Sequence, residues 1–185
     1  MSLLRILPVS VEAFAPYGWV AEANVEHSRS GRLINHGSSL RVDGVGELSL
    51  TSEGGTPCLA VFRAQPRDPR GPWVELERHR LGTQTFVPMG GASYVVLVAL
   101  GDAAPEPDTL AAFMANGQQA VTLRAGTWHH GLIAPEGGDF VVIERSAASV
   151  DCELAQLAVA VRLVVAGGSA GRLRIGPSAA WPAAR

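Results

Sequence analysis

Residues 75–91 read ELERHRLGTQTFVPMGG, and this segment is the most informative about the fold. Two stretches that suit extended strands flank a glycine-containing turn at residues 81–83. Alternate side chains of a strand share one face, so Glu77 and His79 should point in the same direction. Gln84 can lie opposite that face on the returning strand. The segment therefore predicts a β-structure that gathers polar side chains on one side.

Short apolar segments separated by turn formers continue along the chain. With 21 Gly and 12 Pro in 185 residues, this pattern is typical of many short strands joined by turns. Asn116-Gly117 predicts a two-residue hairpin turn, because these residues tolerate positive φ. The fold class is therefore all-β. The predicted strands are residues 19–22, 33–36, 47–51, 58–65, 73–79, 83–88, 94–100, 110–115, 118–123, 129–134 and 140–145.

Helical signals are few and short. Ser10 can cap a short helix that extends to Phe14, and residues 155–160 could be a helix or one more strand. Residues 159–165 read as a last strand, and the Pro/Ala-rich end as a tail. We therefore predict a single domain over residues 1–165, followed by a C-terminal extension or tail at 166–185.

The composition narrows the class of protein. The chain is 47% hydrophobic and 17% charged with a net charge of -2, so we expect a globular protein and no nucleic-acid partner. Its longest apolar run, residues 94–100, is far short of the roughly 20 residues that cross a bilayer, so no membrane partner is expected. Cys58 and Cys152 lack a metal-finger spacing and are expected as free thiols in the cytoplasm.

Two segments resemble the metal-binding motifs of the cupin superfamily. The first reads Glu77-x-His79, four residues, Gln84, six residues, Gly91; the second is Gly126-Thr127-Trp128-His129. The resemblance implies a cupin-like antiparallel β-barrel (jelly-roll) with few short helices. It also implies a divalent metal ion and no organic cofactor. The metal should be loosely bound, since glutamate replaces a usual histidine and a weakly ligating glutamine replaces a usual glutamate. The implied ligand positions are Glu77, His79, Gln84 and His129.

A narrower resemblance concerns the ureidoglycolate lyase family of allantoin breakdown. It rests on residues 76–89, on Arg63-Ala64-Gln65-Pro66 and on Trp128-His129-His130, and it extends roughly from Leu4 to Glu153. The chain departs from the family at Gln119-Ala120-Val121-Thr122-Leu123, at Gly131 and at Glu144. The resemblance implies elimination of urea from ureidoglycolate to give glyoxylate, and assembly as a homodimer.

The reaction suggests roles for these residues. It needs a base and an acid, and histidine titrates closest to neutral pH, so His79 and His129 are the candidates, with Glu77 and Gln84 beside them. Arg63 is the candidate clamp for the substrate carboxylate, because a guanidinium grips a carboxylate with two hydrogen bonds. Gln84 and Asn35 could bind the ureido group. Phe86 and Trp128 are candidates for substrate contact, with core packing as their alternative role.

Other functions remain open at this level. A barrel hosts many activities, so one alternative is another cupin enzyme acting on a small carboxylate, such as a metal-dependent hydrolase or isomerase. A second alternative is a non-catalytic cupin that binds a small acid. The first predicts tightly bound metal, and the second predicts saturable binding of glyoxylate-like ligands without turnover.

Overall fold

The computed structural model describes residues 1–22 and 31–165, which form thirteen strands and one short α-helix. Helix α1 spans Val11–Phe14 and is capped by Ser10, whose hydroxyl accepts a hydrogen bond from Ala13 N at 3.2 Å, as predicted. Short 3₁₀ turns occupy Asn35–Gly37, Ser52–Gly54 and Pro107–Thr109. The strands are β1 Ser2–Pro8, β2 Gly18–Ala21, β3 Arg32–Ile34, β4 Ser39–Arg41, β5 Thr56–Ala64, β6 Trp73–Arg78, β7 Gln84–Pro88, β8 Tyr94–Ala99, β9 Ala111–Ala115, β10 Ala120–Leu123, β11 Trp128–His129, β12 Gly138–Ser146 and β13 Glu153–Val165.

The strands form two main sheets. Six of them close into a barrel in the order β1-β13-β6-β11-β8-β9, and five form a sheet in the order β2-β10-β7-β12-β5. Strands β3 and β4 make a separate hairpin. The all-β, cupin-like class predicted from the sequence is therefore confirmed.

The sequence predicted an antiparallel barrel, but the barrel also contains parallel strands. Strand β1 runs parallel to both of its neighbours, β13 and β9. This strand was not predicted, because residues 2–8 carry no hairpin signal and their two partners lie more than a hundred residues away. Its insertion closes the six-stranded barrel.

The two sheets enclose two apolar cores, and β8 contributes to both. Tyr94, Val96 and Val98 belong to the core shared with the five-stranded sheet, and the alternating residues Val95 and Leu97 belong to the core inside the closed barrel. A strand that is buried on both faces reads as a continuous apolar run. This explains why residues 94–100 show no alternation of polar and apolar side chains.

Three local predictions were wrong. Residues 47–51 form no strand: Ser49 is instead held by Thr83, whose backbone N donates to the Ser49 carbonyl at 3.0 Å. The predicted strand 129–134 is reduced to β11. Residues 155–160, for which the sequence left helix and strand open, are not among the three, since they form part of β13. The turn at Asn116-Gly117 exists, with φ 86° at Gly117, but β9 and β10 do not pair. Strand β9 has β1 and β8 on its two edges, so the turn carries the chain to the other sheet.

Two further points concern the limits of the described residues. The predicted tail at residues 166–185 lies outside them. In the described ranges, no helix has the length and apolar character that crossing a membrane requires.

Candidate active site

Strands β6 and β11 bring the two predicted motifs together. Glu77 in β6 lies opposite His129 in β11, and His79 immediately follows β6. A glycine turn precedes β11, and the backbone N of Gly126 donates to the His79 carbonyl at 2.7 Å. Trp128 points into the closed barrel, so the next residue, His129, points into the space between the two sheets.

Glu77, His79 and His129 form a compact cluster. Their potential ligand atoms all lie within 4.8 Å of one another. The Glu77 Oε1 atom is 3.6 Å from His129 Nε2, and the two imidazole centroids are 5.3 Å apart. Three of the four ligand positions implied by the sequence are thus neighbours in space.

Backbone hydrogen bonds fix the tautomers of both histidines. His79 Nδ1 bonds to the Asp151 carbonyl, and His129 Nδ1 bonds to the Thr127 carbonyl at 3.0 Å. A carbonyl only accepts, so each Nδ1 carries the proton and each Nε2 keeps a lone pair. Both Nε2 atoms are buried and have no hydrogen-bond partner among residues 1–22 and 31–165. Two imidazole lone pairs and the Glu77 carboxylate therefore face one another, and neither Nε2 receives a hydrogen bond from the described residues.

Gln84 is the fourth predicted ligand position, and its amide is oriented by a glutamate. Its Nε2 donates to Glu144 Oε2 at 2.9 Å, and its Oε1 is buried with no partner in the part of the chain that the structure describes. Gln84 shares a face of β7 with Phe86, which belongs to the core between the sheets. In the described part of the chain, four buried side-chain N or O atoms lack a partner, and three of them belong to His79, Gln84 and His129.

This arrangement fits a divalent cation. Buried polar atoms are normally hydrogen-bonded, so a group of unpartnered acceptors suits a bound cation or a proton donor. Imidazole nitrogen and carboxylate oxygen are suitable ligands for divalent transition metals. Both histidines have the tautomer that a metal requires at Nε2, and each is oriented by a backbone carbonyl at Nδ1.

Burial controls the charge of the site. Desolvation, with smaller contributions from His79 and His130, lowers the pKa of His129 to about 3. His129 is therefore a neutral imidazole near neutral pH, which suits a metal ligand or a hydrogen-bond acceptor. The Cys152 thiol donates to Glu77 Oε2 at 3.8 Å, and burial, followed by the charge of Glu77, raises the pKa of that thiol.

A cavity of about 220 Å³ adjoins the cluster. His79 lines it from the barrel, and Glu144 and Arg145 line it from the end of β12. The loop between β12 and β13 completes the wall with Asp151 and Cys152. Sequence reasoning missed this loop, because its residues belong to neither motif.

The Asp151 side chain holds the loop to the turn after His79. Its two carboxylate oxygens accept hydrogen bonds from the backbone N of Arg80 at 2.9 Å and of Leu81 at 2.8 Å. The same residue offers its backbone carbonyl to His79. One loop residue therefore fixes both the turn and the imidazole.

None of the residues predicted to bind substrate, Arg63, Asn35, Phe86 and Trp128, lines this cavity. Arg63 faces away from the core between the sheets, is paired with Asp139 at 2.7 Å, and lines a different cavity of about 410 Å³. Asn35 is exposed in the turn of the β3–β4 hairpin, where its φ is 51°. Trp128 is buried in the closed barrel, where its Nε1 donates to the Gly101 carbonyl at 3.0 Å. Phe86 is buried between the sheets, two residues after Gln84.

Comparison with known proteins identifies close relatives. The sequence model of a family described as ureidoglycolate lyase matches residues 1–164. Proteins named ureidoglycolate lyase from Escherichia coli O139:H28 (strain E24377A / ETEC), Escherichia coli (strain 55989 / EAEC) and Shigella boydii serotype 18 (strain CDC 3083-94 / BS512) are each 40% identical to the chain over 152 residues. Each alignment covers 82% of this chain and 92% of the relative.

Proposed function

Because the chain belongs to the ureidoglycolate lyase family, we propose that it eliminates urea from ureidoglycolate and releases glyoxylate. The observation that best supports this reaction is the partly buried cluster of Glu77, His79 and His129 beside a cavity. The cluster offers acceptors for a proton or a cation at one point, and the cavity gives a small substrate access to it.

The chemistry is a transfer of one proton within the substrate. Ureidoglycolate carries a hydroxyl, a carboxylate and a ureido nitrogen on one carbon. The hydroxyl proton leaves, a carbon–oxygen double bond forms, the carbon–nitrogen bond breaks, and the departing nitrogen gains a proton. No water is consumed. A group that accepts a proton from oxygen and returns it to nitrogen is therefore sufficient, and such acid–base catalysis typically contributes about 10² to 10⁴ in rate.

We assign this proton transfer to His79. Its Nε2 has a free lone pair, because Nδ1 is bonded to the Asp151 carbonyl, and the residue lines the cavity. His129 is less suited, because burial lowers its pKa to about 3 and a base this weak takes up a proton poorly. Glu77 and His129 then orient the substrate's hydroxyl or the group that binds it. Gln84 Oε1 is an acceptor available to the N–H groups of the ureido end.

The same side chains would hold a divalent metal ion. Glu77, His79 and His129 supply three ligands, and Gln84 Oε1 is a candidate for a fourth, weaker one. When bound, such an ion would lower the pKa of the substrate's hydroxyl and reduce the need for a strong base. Both forms of the mechanism place the chemistry on the same residues.

The remaining proposals concern context. We propose a cytoplasmic homodimer that acts in allantoin breakdown. The two cysteines are unbonded, which fits a reducing compartment. Strand β5 lies at the edge of its sheet and exposes Leu59 at 73% and Val61 at 62%, an apolar surface that a second copy could cover. Sedimentation of the wild type and of Val61→Glu tests this interface. We expect the wild type to sediment as a dimer and the variant as a monomer.

One assay tests the proposed reaction. The purified protein is incubated with ureidoglycolate, with and without a chelator, and urea, glyoxylate and ammonia are quantified. We expect urea and glyoxylate in equal amounts and no ammonia. Release of ammonia in place of urea would identify a hydrolase instead. Loss of activity with the chelator, restored by one divalent metal, would select the metal-dependent form.

A further inference from the structure

The proposed substrate carries a carboxylate that needs a cationic partner, and the cavity beside His79 offers one. Among the described residues that line this cavity, Arg145 has the only guanidinium. Resting on the proposed function, we infer that Arg145 binds the substrate carboxylate and thereby positions the reacting carbon. A guanidinium suits this task because its planar donors match the two oxygens of a carboxylate.

Two backbone carbonyls hold the Arg145 side chain in place. Its Nε donates to the Ser52 carbonyl at 2.8 Å, and its Nη2 donates to the Glu53 carbonyl at 3.2 Å. These bonds use Nε and Nη2, and Nη1 has no hydrogen-bond partner among the described residues. The side chain is therefore ordered before any ligand binds, which lowers the entropic cost of binding.

Two glycines make room for this side chain. A Cβ at Gly55 would lie 2.3 Å from Arg145 Nε, and a Cβ at Gly82 would lie 2.7 Å from Arg145 Cβ. A side chain at either position would force Arg145 to shift. Gly82 also lines the cavity. The turn between β6 and β7 and the segment before β5 thus form a slot that fits an arginine.

Arg145 also differs from the paired arginines in its electrostatic surroundings. Arg41, Arg63, Arg70, Arg78 and Arg80 each form a salt bridge with an aspartate or glutamate. Arg145 has no carboxylate within 4.0 Å among the described residues, and its two bonds are to neutral carbonyls. Its charge is therefore available to an incoming anion.

The register of β5 and β12 separates this site from the arginine predicted by the sequence. Arg63 pairs with Asp139 at one end of the two strands, and Arg145 pairs with Pro57 at the other. Six residues of extended strand span about 20 Å. Arg145, and not Arg63, therefore lies at the end where Glu144 and His79 meet the cavity.

A pair of substrates separates binding of the carboxylate from support of the fold. Hydroxymethylurea has the hydroxyl and the ureido group of ureidoglycolate but no carboxylate, and its elimination gives formaldehyde and urea. We expect Arg145→Ala to raise the KM for ureidoglycolate by roughly 100-fold, with a smaller change in kcat, because an anchor acts on ground state and transition state alike. Arg145→Lys keeps the positive charge but loses the planar pair of donors, and we expect it to raise the KM for ureidoglycolate by roughly tenfold.

Hydroxymethylurea, followed as a substrate or as a competitive inhibitor, should behave alike in the wild type and in both variants. Arg124→Ala is the matched control, because Arg124 also donates to a backbone carbonyl, that of Ala15 at 3.1 Å, but lines another cavity. Equal losses with both compounds would assign Arg145 a structural role and overturn the inference. So would an unchanged KM for ureidoglycolate.

A failure of the proposed function gives a different result. In that case the wild type releases no urea, and binding of glyoxylate, measured by calorimetry, tests Arg145 instead. Binding that is weakened at least tenfold in Arg145→Ala, but not in Arg124→Ala, would support a carboxylate site at Arg145. Equal affinity in all three proteins would overturn it.

Discussion

The imidazole rings of His79 and His129 lie with their centroids 5.3 Å apart and their planes inclined by 49°. Each ring is held through Nδ1 by a backbone carbonyl. The carbonyl of Asp151, in the loop before β13, holds His79, and that of Thr127, two residues earlier in the chain, holds His129. Neither ring can turn without breaking its bond. The two Nε2 lone pairs are thereby kept beside Glu77, and neither has a hydrogen-bond donor among the described residues.

Removal of either imidazole should abolish most of the activity. We expect His79→Ala and His129→Ala each to lower kcat by roughly 10² to 10⁴, because each removes one of the three acceptors on which the chemistry depends. Release of urea and glyoxylate measures the effect, and circular dichroism checks the fold. His36→Asn is the control, since His36 is exposed and its φ of 56° is one that asparagine tolerates. Normal turnover in both alanine variants would remove the proposed centre.

Binding of a divalent metal should depend on Glu77. In chelator-treated protein, we expect a divalent cation to raise the unfolding temperature, and Glu77→Gln to weaken its binding by at least about tenfold, because a charged ligand becomes a neutral one. Calorimetric titration gives the affinity without reference to activity. Glu75→Gln is the matched control two residues earlier in β6, where Glu75 accepts a bond from Gln156 at 2.6 Å. Equal affinity in both variants would exclude Glu77 as a ligand.

The stability of the metal-free protein should fall in mild acid because of His129. Burial lowers the pKa of this residue to about 3 from 6.5, so between these values the unfolded chain carries a proton that the folded chain lacks. Protons then favour unfolding. Between pH 7.5 and pH 5, this group should reduce the free energy of unfolding by about 2 kcal/mol. Urea unfolding at the two pH values measures this fall in the free energy of unfolding. In His129→Gln the fall should be smaller than in the wild type by this amount. In His36→Asn the free energy of unfolding should fall with pH as it does in the wild type. A fall in His129→Gln equal to that of the wild type would contradict the role of His129.

The fold was predictable where local signals decided it. The alternation in residues 75–79, the turn at 81–83 and the cap at Ser10 are local, and the structure contains all three. Partners distant in the chain were not predictable. Strand β1 is placed by two parallel neighbours, and the Asn116-Gly117 turn changes sheets because both edges of β9 are occupied. A turn signal describes the bend of the chain and not the partner of the strand that follows.

The candidate site shows the same division. Spacing placed Glu77, His79 and His129 together, because motif positions on neighbouring strands are determined by register. It gave no indication of Asp151 or Cys152, which reach the site through a loop. It also selected Arg63 over Arg145. A motif that contains an arginine says nothing about which end of the sheet that arginine occupies, and Arg63 lies at the end of β5 and β12 opposite to the end where Arg145 lines the cavity.

The bond between Gln84 and Glu144 can be tested by exchange. In Gln84→Glu, two carboxylates would meet where the amide nitrogen and the glutamate oxygen are now 2.9 Å apart. We expect the free energy of unfolding of the metal-free protein to fall by about 1–3 kcal/mol, because a buried hydrogen bond becomes a repulsion. The double variant Gln84→Glu/Glu144→Gln restores one donor and one acceptor and should recover most of the loss. Urea unfolding provides the comparison, and a single variant as stable as the wild type would rule out the contact.

The position of Arg145 should matter as much as its charge, and Gly55 offers a way to move it. Gly55 has φ -67° and ψ 159°, a conformation that alanine adopts freely, so Gly55→Ala introduces no backbone strain. Its new Cβ would lie 2.3 Å from Arg145 Nε and 2.6 Å from Cγ, so the guanidinium must shift. We expect the KM for ureidoglycolate to rise about tenfold with kcat nearly unchanged, because the anchor moves while His79 stays in place. Gly46→Ala is the control, since its Cβ would have its nearest contact at 3.4 Å, with Trp19. Steady-state kinetics on both variants gives the two KM values. A KM in Gly55→Ala equal to that of the control would show that substrate binding does not depend on the position of the Arg145 guanidinium.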